Sequence, residues 1–371
     1  MKRGFSLYLD AIRVLAAIAV LVSHLGYDHV SGGRLAWARD WNIGSDAVVV
    51  FFVLSGLLIS HTASSKDRNV SDYALARISR LWSVSIPALA FSLALGLAGA
   101  AAAPDKYPGM GLTELLKTSL QSIVFSNYIW FSAAHLPANN PFWSVTYEFW
   151  YYVGFGIATY WRDRWRLYGL AFVALLVGPR LLLLLPCWLL GVAVQRLLQH
   201  EGVRNMKAAV GAAFFVLPVL AYLGSEAVHT PAFLTHITSV ALGGRDPNPI
   251  LGFSDEFLWN FVLSLFTAAH FVGAAAIGRD GNSVPAGLES LIRWLSARTF
   301  SLYLFHMPLV VFVSSRPSYD EKSAAHLTFL TTAVFLGSFA MAEVSELRLG
   351  WWRTRLSTGF SRISRQFPKG R

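Results

Sequence analysis

The apolar positions of this chain gather into long runs, not into strand-like alternation or narrow amphipathic stripes. A helix needs about 20 apolar residues to cross the ~30 Å hydrocarbon core of a bilayer. Ten runs read as spanning helices: residues 8–27, 45–63, 81–102, 142–161, 167–178, 181–198, 208–224, 257–278, 299–315 and 327–347. Runs 167–178 and 181–198 are short, with Pro179 and Arg180 between them, and read as a tight hairpin or a distorted pair. Residues 115–134 are apolar too, but carry Lys117, Gln121, Ser122, Ser126 and Asn127. That stretch is expected to lie at the interface or to re-enter without crossing. The pattern predicts an all-α polytopic membrane protein: a membrane domain over residues 1–347 and a tail over 348–371. The first run holds Asp10, Arg13 and His24 and lacks a small-residue cleavage site, so it reads as a retained span, not a signal peptide.

The basic residues test this count. With the N-terminus inside and ten crossings, 22 of the 31 Lys and Arg fall on the inner side, eight on the outer side, and Arg13 within the membrane. This positive-inside asymmetry places both termini in the cytoplasm. A crossing at 115–134 would move Arg162, Arg164 and Arg166 outside and weaken it.

Composition agrees. The chain has 371 residues, 54% hydrophobic and 14% charged, with mean hydropathy +0.47. Soluble domains carry about 25% charged residues. Disorder and fibrous repeats are excluded, and an ordinary soluble enzyme is disfavoured. The net charge of +10 follows from basic inner loops and tail, so it is assigned to lipid headgroups and not to nucleic acid. The one cysteine, Cys187, permits neither a disulfide nor a cysteine metal site, and no metal is expected.

Ionisable groups inside a membrane are expensive and mark function. Arg13 and His24 are eleven residues apart, so they share a helix face about 16 Å apart along the axis, with Asp10 one turn before Arg13. In the run 142–161, Glu148 lies at a depth that matches His24. A carboxylate beside that imidazole would fix its tautomer and raise its basicity. Arg77 and Arg80, one turn apart, could hold one anion, with guanidinium suited to phosphate, or could simply anchor the span. Ser55–Gly56 reads as a close-packing position, and His306, near Pro308, as a structural histidine.

As a set, these residues resemble the acyltransferase-3 family of integral membrane acyltransferases. LDAIRVLAAIAVLVSH resembles the family's Arg-x10-His motif, carried by Arg13 and His24; FFVLSGLLIS at 51–60, RISRLW at 77–82, FWSVTYEFWYY at 142–152 and SLYLFHMP at 301–308 are similar to four further motifs, in family order. Departures are Val145 for the usual leucine, Trp150–Tyr151 around the usual Phe-Tyr, and Ala11 for a common glycine; no role is carried onto Asp46. The resemblance implies acyl transfer from cytoplasmic acyl-CoA, most often acetyl-CoA, to a hydroxyl, mainly of sugars in surface or secreted carbohydrates. The implied setting is the bacterial cytoplasmic membrane. It makes residues 1–347 the acyltransferase domain. His24, Glu148 and Arg13 become catalytic candidates, with Glu148 orienting His24. Arg77, Arg80 and Arg13 become donor-binding candidates, and Asp10, Ser55, Trp143, Tyr303 and His306 supporting ones. The alternative is a proton-coupled transporter or exporter of a polar or lipid-linked solute, in which Arg13, His24 and Glu148 form a proton relay.

Overall fold

A computed structural model describes residues 1–104, 111–136, 138–278 and 284–366, with side chains as far as residue 358. Of the basic residues counted above, Lys106, Arg279, Lys369 and Arg371, and the side chains of Arg362 and Arg365, lie outside the described residues. All regular structure among the described residues is helical. In lipid each backbone N–H and C=O must be satisfied within its own segment, and a helix does this. The longer helices are α1 (Arg3–Leu25), α2 (Ile43–Ser65), α3 (Val70–Ala102), α4 (Leu112–Ile123), α5 (Trp143–Tyr160), α6 (Asp163–Val177), α7 (Pro179–Leu197), α8 (Ala208–Ala227), α9 (Thr230–Ala241), α10 (Phe257–Ile277), α11 (Ala286–Ser296), α12 (Thr299–Ser314), α13 (Ala324–Val344) and α14 (Leu349–Gln366).

Each of the ten expected runs forms a helix, yet only seven helices are long and apolar enough to cross, or eight if α11 and α12, bent by 54°, count as one span. Helix α12, at 16 residues, counts only with α11, and the two that fall short either way have clear reasons. Helix α6 has only 15 residues and opens on Asp163, Arg164 and Arg166. Helix α5 has 18, but seven of them are Trp, Tyr or Glu. Helix α4, at 12 residues, rises about 18 Å, too little to cross ~30 Å; the stretch 115–134 does not span.

Other boundaries shift. The run at 81–102 begins earlier, because Asn69 caps α3 by accepting from the Asp72 N–H at 3.0 Å. Arg77 and Arg80 therefore lie inside the helix, not ahead of it. The break between α6 and α7 is Gly178, at φ 80°, a left-handed conformation that suits glycine. Arg180, expected in an exposed outer turn, is instead 5% exposed. Its guanidinium donates to Ile250 O (2.9 Å), Ser132 O (3.2 Å) and Pro249 O (3.2 Å), tying three segments together. The expected end of the membrane domain at 347 falls in the short turn Glu346–Arg348 between α13 and α14.

The segment before α5 sits deep. Asn139 is fully buried, and its amide donates to Ser92 Oγ of α3 at 2.7 Å and to Leu304 O, five residues into α12, at 3.4 Å. Asn127 donates to Ala134 O at 3.0 Å and accepts from Thr146 Oγ1 at 2.6 Å. Helix α5 thus starts well inside the bundle.

Helices α2 and α7 cross with backbones almost touching. A Cβ on Gly56 would come 2.0 Å from Trp188 O, and one on Gly191 would come 1.9 Å from Val53 O. Only glycine allows this approach, as the reading of Ser55–Gly56 expected. Gly191→Ala is expected to cost about 1–3 kcal/mol as the helices are forced apart, whereas Gly224→Ala, with open space around it, is expected to change little. Thermal unfolding of the two variants in detergent checks this.

Candidate active site

A cavity of about 250 Å³ lies between α1, α2, α3, α5 and α12. Its wall on α2 runs from Val48 to Thr62, a rise of about 21 Å. Thr62, Arg77 and Arg80 mark one end; Val48, Ser144 and Tyr303 mark the other; Arg13, Ser55, Glu148 and Tyr152 also line it. Most of the remaining lining is apolar, including Phe51, Phe52, Leu54 and Leu58.

The two arginines at the basic end differ. Arg77 donates to Asp67 at 2.6 Å and to Thr62 Oγ1 at 2.7 Å, and its guanidinium lies 4.9 Å from the Tyr73 ring centre. It is already neutralised, although its Nε, also buried, has no acceptor. The Arg80 guanidinium forms no hydrogen bond or salt bridge among the described residues, although the buried Glu346 carboxylate lies near enough to interact with it, and it lines the cavity. The expected pair is therefore unequal: Arg77 shapes the wall and Arg80 faces the cavity.

The shared face of Asp10 and Arg13 is as expected. Arg13 Nη1 donates to Asp10 at 3.4 Å and to Ser296 Oγ at 3.1 Å. Asp10 also accepts from Ser296 Oγ at 2.8 Å and Arg293 at 2.9 Å. This network fastens α1 to α11 and holds Arg13 against the cavity.

The expected pairing of Glu148 with His24 does not occur. Glu148 Oε1 accepts from Ser55 Oγ at 2.5 Å and from the hydroxyl of Tyr152, and Trp188 Nε1 donates to Ser55 Oγ at 3.2 Å. Ser55 lies 12 residues into α2, about 18 Å along it, so Glu148 sits near mid-span. The depth arithmetic assumed that α5 starts at the membrane face; the buried Asn139 anchor starts it far below.

His24 pairs instead with His306. Its Nδ1 lies 2.8 Å from Val20 O and 3.2 Å from His306 Nε2, while His306 Nδ1 lies 3.0 Å from Leu302 O. A carbonyl can only accept, so each Nδ1 carries the hydrogen. Neutral His306 then accepts at Nε2, sharing the one His24 Nδ1–H with Val20 O in a three-centre bond. That leaves the lone pair of His24 Nε2 without a donor among the described residues. A reading of His306 as purely structural from sequence missed this partner, which a motif 282 residues away could not reveal. The Tyr303 ring lies 6.1 Å from that of His306, and its hydroxyl reaches Ser144 Oγ at 2.7 Å and donates to Pro141 O at 3.1 Å. Tyr303 thus stands between the cavity end and the histidine pair. Trp143 does not line the cavity; it is buried and stacks on Phe253 at 4.5 Å.

Several participants carried no usable sequence signal. Asp67 lies in a short turn, and Trp188 in an unbroken apolar run. Tyr152, one helical turn beyond Glu148, was the one legible neighbour. Asp46 forms a separate buried cluster, accepting from Trp259 Nε1 at 2.9 Å and the Tyr222 hydroxyl at 2.8 Å. No cluster of three His, Cys, Asp or Glu among the described residues could hold a metal ion.

A family model described as an acyltransferase domain, that of acyltransferase-3, matches residues 6–343, nearly the whole chain. The chain belongs to the acyltransferase-3 family. No curated protein and no solved structure matches it. As an acyltransferase-3 protein it is a membrane-embedded acyl-transferring enzyme, which decides between the two activities the sequence left open. Of the acyltransferase-3 motifs, those bearing Arg13, Ser55, Arg77, Arg80 and Glu148 converge on the cavity, and the last brings His306 to His24.

The Arg77–Asp67 pair is buried on both sides, at 10% and 7% side-chain exposure. Breaking such a pair strands a charge, so Asp67→Ala is expected to cost about 3–5 kcal/mol. In the pair Arg298–Glu343 the acid is 58% exposed, and Glu343→Gln is expected to cost under about 1 kcal/mol. Comparative unfolding in one detergent measures the difference.

Proposed function

We propose that this enzyme moves an acyl group, in the first instance acetyl, from acyl-CoA to a hydroxyl of a surface or secreted carbohydrate. The donor enters at the Arg80 end of the cavity, and the acceptor meets it beside His24. The single observation that carries this reading is a cavity with, at one end, a guanidinium that has no hydrogen-bond or salt-bridge partner among the described residues and, at the other, Tyr303, against a histidine pair whose outer imidazole keeps an unpartnered Nε2. The inner placement of basic residues supports ten crossings, both termini in the cytoplasm, and a donor supplied from that side. The bacterial cytoplasmic membrane is the setting that best suits such an acceptor.

The chemistry follows from the atoms. Coenzyme A is a polyanion, and Arg80 and Arg13 supply charge-assisted donors for its phosphates. Its arm lies along the apolar wall, with the thioester toward Tyr303. The acceptor O–H donates to His24 Nε2. As that oxygen bonds to the thioester carbonyl, the proton passes to Nε2. The C–S bond then breaks and the coenzyme A thiolate leaves, taking up the proton. While His24 is cationic, His306 Nε2 accepts from its Nδ1–H and offsets the new charge.

Three results are expected from transfer assays with labelled acetyl-CoA and a saccharide acceptor. His24→Ala is expected to lower kcat by about 10²–10⁴, and full activity would exclude the base role. Arg80→Ala is expected to raise KM for acetyl-CoA with little change in kcat, as loss of ground-state binding does. His306→Leu is expected to lower kcat about tenfold, a part of the same base contribution. His306→Gln, which restores an acceptor to His24 Nδ1–H, is expected to recover most of it.

A further inference from the structure

We propose that Glu148, Ser55 and Tyr152 form a subsite for the pantetheine arm of the donor, binding its N–H and O–H groups, and do not act on the acceptor. This rests on the reading that acyl-CoA occupies the cavity.

The hydrogens of the cluster are already committed. Ser55 has one, and donates it to Glu148 Oε1 at 2.5 Å; Tyr152 has one, and donates it to the same oxygen. The Trp188 N–H, which could otherwise reach a ligand, is directed at Ser55 Oγ. Glu148 Oε2 has no hydrogen-bond donor among the described residues. The cluster therefore presents only lone pairs to the cavity: those of Oε2, and what remains on the two hydroxyl oxygens. Phe51, Phe52, Leu54, Leu58 and Val145 supply apolar wall around it. A ligand that binds here must bring its own donors into an otherwise greasy passage, and a charged acceptor strengthens the bonds it makes there. Arg13 and Arg80 line the same cavity.

Position agrees with chemistry. On α2, Ser55 is seven residues from Thr62 at the basic end and seven from Val48 at the other, about 10 Å from each. The pantetheine arm carries two secondary amides and a hydroxyl between its phosphates and its sulfur. With phosphates at Arg80 and the thioester near Tyr303, those groups fall at mid-tunnel, level with Glu148.

The test compares two probes that share the nucleotide and differ in the arm: coenzyme A and 3′,5′-ADP. Binding of each to the full-length protein in nanodiscs is measured by calorimetry, with transfer kinetics alongside. Glu148→Gln is expected to weaken coenzyme A about tenfold, leave 3′,5′-ADP unchanged, and raise KM more than it lowers kcat. Tyr152→Phe, which keeps the ring, is expected to give the same selectivity at about threefold and decides the matter if Glu148→Gln does not fold. Equal loss of both probes, no loss of either, or a fall confined to kcat would overturn the subsite. So would an acyl group found on Ser55 by mass spectrometry. Failure of the unaltered protein to bind coenzyme A would instead overturn the donor assignment itself.

Discussion

The near-contact of α2 and α7 organises the molecule. Because Gly56 and Gly191 carry no side chains, Trp188 O and Val53 O pack directly against the opposing helix. That approach places the indole of Trp188 against Ser55, and Ser55 in turn holds Glu148. Water drives helices together in soluble proteins; lipid tails do not, so close backbone packing and buried hydrogen bonds must supply the association. Here the tight crossing and the polar cluster that it positions are one construction. Residues around it, Phe52, Tyr147, Tyr151 and Trp188, fill the space with rings.

The cost of burying charge explains how the polar groups divide. In a low-dielectric interior, an ionisable side chain must be paired, hydrogen-bonded or left to meet a ligand. Arg77 is paired with Asp67, Arg13 with Asp10, and Arg180 is satisfied by three carbonyls. Against that background, three groups without a hydrogen-bond partner among the described residues concern the reaction: the Arg80 guanidinium, the second oxygen of Glu148, and the Nε2 lone pair of His24. They lie along one path, Arg80 and Glu148 on the cavity and His24 beyond Tyr303. A path with a cation at its entrance, an acceptor at its middle and a base at its end suits a long donor that is anionic at one end and reactive at the other.

The sequence determined the all-helical, membrane-embedded class, the family, and the shared face of Asp10 and Arg13. The first rests on apolar runs that only helices can carry through lipid; the last rests on helical periodicity within one segment. It also exposed Ser55–Gly56 as a packing position. What it could not determine were relations between segments. Depth along a helix can be counted from its own start, but where that start lies is set by other elements. The Asn139 bonds to Ser92 and Leu304 sink α5 and carry Glu148 away from His24. Only the tertiary structure could give His24 its partner in His306, commit Arg77 to Asp67, and leave Arg80 lining the cavity. Each of those outcomes depends on which side chains meet across tens or hundreds of residues, and periodicity along one chain segment holds no record of that.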